Sequence, residues 1–477
     1  RIANMMAARP DWCISRQRSW RVPIPAFYCE SCGYILADEK IIRQVAEIFE
    51  KHGSNAWFYK SASELLPPDQ KCPACGGQSF RKENNILDVW FESGASHSIL
   101  GKKPELPWPA DLYVEGHDQY RGWFNSSLVI GVGAKGGSPY RTCLTHGFVL
   151  DEQGRAMSKS LGNFIEPNEI ISKHGAEILR LWVAMLNYKE DARFGNEILQ
   201  RLVEAYRKIR NTWRFLLGNL YDFNPDTDSL KPEELLWLDR WILERCRQVE
   251  KRVIQAYDDY EFHIVFHSLY NFFTVDLSAF YLDVIKDRMY CSGPKSTLRR
   301  SGQTAIMTVL QNTLRLMAPI LPFTTEEAWE AMPSFQGKTE SIHLCLFPED
   351  DRPWLSEDFM KKVDKLLDLR ELAQKEMERT REAKLIGNSL EACLVFRAPE
   401  GVFELLEEFR ADLPTVFIVS AVRVEPATGQ NLTIIVERAE GQKCERCWNY
   451  SPSVGQNPKY PAVCQRCFLV LEKEIGQ

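Results

Sequence analysis

The sequence predicts a multidomain chain. It combines an α/β nucleotide-binding portion carrying a zinc insertion, an all-α bundle, a small α+β junction and a C-terminal zinc ribbon. Three observations predict it. The apolar run 142–150 reads as a buried strand. It leads into a glycine-bounded polar loop, 154–163, and then into helical periodicity from about 166 to 186. A loop at a strand's carboxyl end is where open α/β sheets bind ligands. From 196 to about 332, apolar residues recur at i, i+3, i+4 and i+7, the texture of packed helices. Eight of the 14 cysteines fall in four C-x-x-C pairs.

With 477 residues the chain is long enough for two to four domains. It has no run of about 18 apolar residues that would span a membrane, and residues 1–10 lack a signal-peptide core. The paired cysteines therefore point to zinc in a reducing, cytoplasmic setting rather than to disulfides. A net charge of −6 does not advertise nucleic acid, although a local basic patch would suffice to bind it. The first residue is Arg1, not methionine, so a processed chain or a fragment is expected.

Taken in order, residues 11–25 read Asp-Trp-Cys-Ile-Ser-Arg-Gln-Arg-Ser-Trp-Arg-Val-Pro-Ile-Pro, in which Arg16 and Arg18 are either phosphate contacts or surface charges. Cys29-x-x-Cys32 and Cys72-x-x-Cys75 are two tight turns, each followed by glycine. Four thiolates make a tetrahedral structural zinc site, provided the long gap between the pairs folds back. Residues 86–97 contain Trp90, either plain core or an apolar wall for an aliphatic ligand. Residues 112–115 read as a strand, Gly116 turns the chain, and a helix runs over 120–132. The carboxylates and amide of Glu115, Asp118 and Gln119 at that junction can accept from ribose hydroxyls and an ammonium. Gly131-x-Gly133-x-x-Gly136 imitates a dinucleotide fingerprint. A helix precedes it, however, where that fingerprint needs a strand, so it is a helix end.

The loop itself, Gly154-Arg-Ala156-Met157-Ser158-Lys159-Ser160-Leu-Gly162-Asn163, offers one mobile cation between two hydroxyls. Those groups can hold a polyphosphate while charge builds on it. Read from residues alone, a solvated loop with one lysine fits as well. Helices are expected at 233–258, 262–289, 303–317 and 358–386. Strands are expected at 390–397, 416–424 and 432–437, around a short helix at 402–409. At the end, Cys444-x-x-Cys447 and Cys464-x-x-Cys467 are separated by 16 residues, within the zinc-ribbon range. From 442 to 477 five Lys/Arg face three Asp/Glu, a net +2. With Trp448 and Tyr450 nearby, this is suited to nucleic acid, or simply to a stabilising cap.

The loop resembles the Lys-Met-Ser-Lys-Ser signature of class I aminoacyl-tRNA synthetases, with Ala156 in place of the first lysine. The segments at 11–25, 86–97 and 112–124, together with the C-terminal Cys-x-x-Cys-Trp, resemble the isoleucyl branch of that family. Arg21 stands where that branch has glycine, and His117 and Tyr120 stand where it has serine and histidine. The resemblance runs from residue 10 to residue 467. It implies ATP-dependent attachment of isoleucine to tRNA(Ile) through isoleucyl-adenylate, with Mg²⁺ and ATP as substrates and a monomeric enzyme. By resemblance Lys159 is catalytic. Glu115, Gly116, Asp118, Gln119, Met157, Ser158 and Ser160 bind adenylate or ATP, and Trp90 and Trp123 line the side-chain pocket.

The implied division is 1–190 for the second half of the catalytic domain with its zinc insertion at about 27–85. The helical anticodon-binding domain follows at 191–355, the junction at 356–440 and the zinc finger at 441–477. The family's His-x-Gly-His motif and editing domain do not occur in the sequence. An upstream half-enzyme is therefore expected to complete the ATP site, with this chain alone binding adenylate poorly and not editing valine. The alternatives are a non-catalytic zinc-containing tRNA-binding protein, or a valyl- or leucyl-type synthetase.

Overall fold

The fold is that of a computed structural model, which describes residues 2–349, 353–427 and 429–475. It divides into two compact units. The first comprises 1–149 with 188–191, and the second comprises 150–187 with 192–477.

In the first unit two parallel strands, Ala110–Gly116 and Tyr140–His146, pair with Gly116 opposite His146. The helix Trp123–Lys135 connects them, as a parallel crossover requires. The apolar run expected as one buried strand over 142–150 is instead broken at Gly147, and Thr142 and His146 are exposed. The reason is that the sheet has only two strands among the described residues, so one face and the outer edges stay uncovered. The helix runs past the expected end at 132: Gly131 and Gly133 lie within it, and Gly136 closes it as the left-handed C-cap, with φ +75°.

The same unit holds the insertion. Strands Phe27–Cys29, Ile35–Leu36 and Phe80–Lys82 form a three-stranded sheet. The helix Glu39–His52 opens on Asp38, whose side chain accepts the Ile41 amide. Its buried face, Ile41 and Val45, packs with Phe27, Leu36, Trp57 and Leu65. This packed core is what returns the second cysteine pair to the first across the long gap.

The second unit is dominated by one large helical core. The helices Asn196–Gly218, Trp237–Asp258 and Thr297–Met317 carry its buried stripes. The expected single helix over 262–289 is Phe272–Tyr281 in π geometry between α-helical ends. The helical pattern after the signature loop is two helices, Pro167–His174 and Ala176–Met185, broken at Gly175 with φ +87°. Glu177 ties the second of these to the bundle: its carboxylate accepts the amides of Phe323 (2.8 Å) and Thr324 (3.0 Å), capping the helix Pro322–Ala331. The helix Glu357–Glu382 leads to a three-stranded sheet with Ala392–Ala398 at its centre, parallel to Ala421–Pro426 and antiparallel to Thr433–Arg438. The strand expected from 416 begins only at 421. Pro414 opens the helix Leu413–Phe417, which Ile418 closes in a left-handed conformation, φ +55°. A β-branched run thus yields to a proline-initiated turn of helix.

Candidate active-site elements and zinc centres

The strand-end site in the first unit is built from its glycines. Gly116 ends the first strand, and a Cβ there would lie 2.6 Å from Asp118 Oδ1. The chain makes a single 3-10 turn, His117–Tyr120, before the helix Trp123–Lys135. Gln119 is fixed on both sides: its amide donates to Asp118 (3.0 Å), and its oxygen accepts the Trp123 amide (3.0 Å). Trp123 stacks on Tyr113 at 4.2 Å and 6°, and its indole N–H reaches Ser93 O at 2.9 Å. Trp90 lies over Gly122, where a Cβ would meet Gln119 Oε1 at 2.5 Å and the Trp90 ring at 2.9 Å. The structure therefore brings Trp90, Asp118, Gln119 and Trp123 together around Gly116 and Gly122. Trp90 is 41% exposed, so it is not a buried core residue. Glu115 is exposed at the strand end, and its carboxylate has no hydrogen-bond partner among the described residues.

The Trp12-to-Arg16 segment supports this site. Asp88 is buried and accepts the Trp12 indole (2.9 Å) and the Arg16 guanidinium (2.7 Å), while capping the helix Val89–Gly94 that carries Trp90. Arg16 is thus paired with Asp88, its side chain still 40% exposed, and Arg18 is an exposed charge. Asp88 is a positioning residue that the sequence reading missed. The signal was an aspartate one residue ahead of a short helix, an N-cap position. Arg21 holds φ +147°, a backbone region that favours glycine, so the backbone there is strained.

The signature loop belongs to the second unit. Asp151 is its hub. The carboxylate accepts the amides of Gln153 (3.0 Å) and Arg155 (2.8 Å), the Arg155 side chain (2.9 Å) and the Asn163 amide (2.9 Å). Asn163 Oδ1 in turn accepts the Ser158 amide at 2.9 Å. Ser158 caps the short turn Lys159–Leu161 and meets Ser160 at 3.2 Å. Met157 packs against the main core. Lys159 is exposed, its ammonium resting 5.7 Å from the Phe164 ring. The loop is therefore rigid at its base, and the Lys159 ammonium at its tip has no ion-pair partner among the described residues.

The Asn163 amide and the Arg155 backbone N–H hold Asp151 down to about 2. A depressed carboxylate stabilises the folded loop above its unfolded pKa, and that stabilisation is lost as pH falls through the folded value. Loop order should accordingly persist to about pH 3 and disappear near pH 2. The side-chain amide resonance of Asn163 in asparagine-labelled protein should report this, with a midpoint close to 2 rather than 4.

Two cysteine tetrads exist among the described residues, each with its four sulfurs within 4.8 Å of one another. In the insertion, Cys29 and Cys75 are 3.6 Å apart, as are Cys32 and Cys72. Gly33 and Gly76 follow the pairs at φ +77° and +75°. In the C-terminal tetrad, Cys444, Cys447, Cys464 and Cys467 are all buried, and the neighbouring Cys467 thiol pulls Cys447 down to about 4. Four convergent sulfurs with no further donor fit closed, structural zinc. Both tetrads are zinc sites. Where the two knuckles of the insertion have glycine, Trp448 takes the left-handed position, φ +66°. It is 61% exposed, with Lys443 Nζ 5.1 Å over its ring. It borders a groove of about 680 Å³ lined also by Tyr290, Arg446, Tyr450 and Arg466.

Known proteins share this assembly of parts. Residues 1–195 match the family of class I tRNA synthetases (I, L, M and V). Residues 239–396 match the anticodon-binding domain of tRNA ligases, and 441–470 match the zinc finger found in FPG and IleRS. The isoleucine--tRNA ligase of Syntrophotalea carbinolica is 51% identical over 99% of this chain and 52% of its own length. The chain belongs to the class I tRNA synthetases. Within that family it is a homologue of the isoleucine enzymes: that of Carboxydothermus hydrogenoformans is 49% identical, again over 99% of the chain and 52% of the relative. The chain thus spans about half the length of the curated relatives it matches. In fold it is similar to a leucyl enzyme from Agrobacterium radiobacter K84 solved with tRNA and LeuAMS, with a TM-score of 0.53 and 18% identity over 74% of this chain and 45% of that one.

Proposed function

We propose that this chain takes part in the ATP-dependent attachment of isoleucine to tRNA(Ile). The carrying observation is the signature loop. A single exposed lysine sits on a hairpin locked by Asp151 and Asn163, in a synthetase-family chain about half identical to isoleucine--tRNA ligases. In the first step the isoleucine carboxylate attacks the ATP α-phosphorus in line. Pyrophosphate leaves and isoleucyl-adenylate remains. In the second step a ribose hydroxyl at the tRNA 3′ end attacks the activated carbonyl and AMP leaves.

Lys159 stabilises the charge that builds on the departing phosphates, with Ser158 and Ser160 as hydroxyl donors beside it. Mg²⁺ supplies further charge neutralisation when bound with ATP. Glu115 takes the substrate ammonium, Asp118 and Gln119 the ribose, and Gly116 lets the backbone approach. Trp90 and Trp123 form the wall for the aliphatic side chain. The exposed outer edges of the two-stranded sheet accept further parallel strands, contributed by an upstream half-enzyme. The helical part, about 191–355, reads the anticodon, with 356–440 as a junction. The ribbon beyond 441 adds Trp448 as a stacking face for an unpaired base. Among the described residues no helix is long and apolar enough to cross a membrane, and we place the protein in the cytoplasm as a monomer.

Charging tests this reading. The chain, supplied with the upstream segment of a relative, should load isoleucine onto tRNA(Ile) and leave leucine unloaded. Binding of tRNA(Ile) with no charging by any of isoleucine, valine or leucine would assign it instead as a binding module. Gly122→Ala tests the pocket separately. The added Cβ overlaps Gln119 and Trp90, so the isoleucine KM should rise about tenfold, equivalent to about 1.4 kcal/mol, with zinc content unchanged.

A further inference from the structure

Beyond the bonds of Asp151 and Asn163, the signature hairpin makes a second set of contacts, to the start of the helix Asn196–Gly218. Glu152, at the turn of the hairpin, lies flat on the Gly195 backbone. A Cβ at Gly195 would overlap its carboxylate, 2.0 Å from Oε1 and 2.1 Å from Cγ. Its Oε1 accepts the Asn196 amide at 2.8 Å. That amide is one of the first-turn donors a helix cannot satisfy itself, and no side chain within the helix caps it. Alongside, the Phe194 amide donates to Leu150 O at 2.9 Å, the Arg193 guanidinium lies 3.4 Å from the Cβ position of Gly154, and Phe194 is buried edge-on against Trp182 at 4.7 Å. Asp151, the next residue along, is the hub that holds Arg155 and Asn163. An acidic side chain at a helix N-terminus gains from the positive end of the helix dipole as well as from the hydrogen bond.

We propose that Glu152 is a positioning residue for the signature loop: by capping the helix Asn196–Gly218 from outside, it fixes the base of the loop, and with it Lys159, against the first turn of the helical bundle. Gly195 is the matching half of the device, because only a residue without a Cβ leaves room for the Glu152 side chain. The far end of the same helix, at Lys208, Asn211, Thr212 and Phe215, lines a groove of about 490 Å³ with Thr274 and Ser278. A rigid helix therefore runs from that groove to the loop. The part of this inference that concerns catalysis rests on the reading of Lys159 as a phosphate-stabilising group; the positioning part does not.

Hydrogen exchange on the full chain tests the positioning, with no activity required. Glu152→Ala and Gly195→Ala should each speed exchange of the amides over 151–163 and at Asn196 by about tenfold, the loss of one cap. Amides of the helix Trp237–Asp258 should keep their wild-type rates. Glu152→Gln, which retains the acceptor oxygen, should restore most of the protection. Unchanged exchange over 151–163 in both alanine variants overturns the proposal, and so does loss of protection through the whole bundle. Isoleucine-dependent ATP–pyrophosphate exchange, with the upstream segment supplied, then reads the catalytic part. The kcat should fall about tenfold in both alanine variants and recover in Glu152→Gln, with the isoleucine KM unmoved. If wild-type chain shows no such exchange, the functional reading fails, and the amide data alone decide the positioning.

Discussion

Replacing Lys159 with alanine is expected to slow isoleucine-dependent ATP–pyrophosphate exchange by about two to three orders of magnitude, the usual cost of deleting one charge-stabilising donor. The fold should not change. Lys159 is exposed at the loop tip and the only described contact of its ammonium is with the Phe164 ring, whereas the loop is held by Asp151, Arg155 and Asn163 below it. The isoleucine KM should hardly move, because the ammonium acts on charge that develops as pyrophosphate leaves. A drop in kcat at constant isoleucine KM is the signature of an interaction made mainly in the transition state. An equal fall in thermal stability would instead make Lys159 a structural residue.

Cys464→Ser is expected to cost the chain one of its two zinc ions and to unfold the ribbon while the bundle stays folded. The ribbon has little core beyond its cysteines: Val454 and Val463 pack on them, with Cys291 alongside. A unit of this size cannot stabilise itself by apolar burial, and structural zinc supplies on the order of 10 kcal/mol of apparent binding free energy to such units. Its attachment runs through the knuckles themselves. Arg446 donates to the Cys291 carbonyl, and Arg466 pairs with Asp287 at 2.7 Å. Loss of the metal frees both arginines and dissolves the groove beside Trp448. Zinc analysis should fall from two ions per chain to one, trypsin should cut after Arg446 and Arg466, and tRNA(Ile) binding should weaken. Retention of both ions, or an intact ribbon without its ion, would show that the tetrad is not what holds it.

The cysteine pairs were legible because their chemistry is local: a C-x-x-C turn presents two sulfurs whatever surrounds it. Whether the insertion pairs would meet was not legible, since that depends on the core formed by Phe27, Ile41, Val45 and Trp57. The helical texture was legible from periodicity, but not the π geometry at Phe272–Tyr281, which the 3.6-residue pattern does not encode. The loop at 154–163 was found through its lysine and serines. The residues that hold it, Asp151 and Glu152, were passed over, because nothing in their spacing says that one will gather Asn163 from 12 positions away and the other will cap a helix more than 40 positions on. The ion pair made by Arg16 was not legible for the same reason. Its partner, Asp88, is 72 residues distant.

Isoleucine-dependent ATP–pyrophosphate exchange is the most direct test of the assignment, run on this chain with the upstream segment of a relative added and with leucine as control. Exchange that requires isoleucine, is absent with leucine and collapses in Lys159→Ala is the expected result. Absence of isoleucine-dependent exchange in the complemented wild-type chain, with tRNA(Ile) still bound, would contradict the account and leave the signature loop without the chemistry assigned to it.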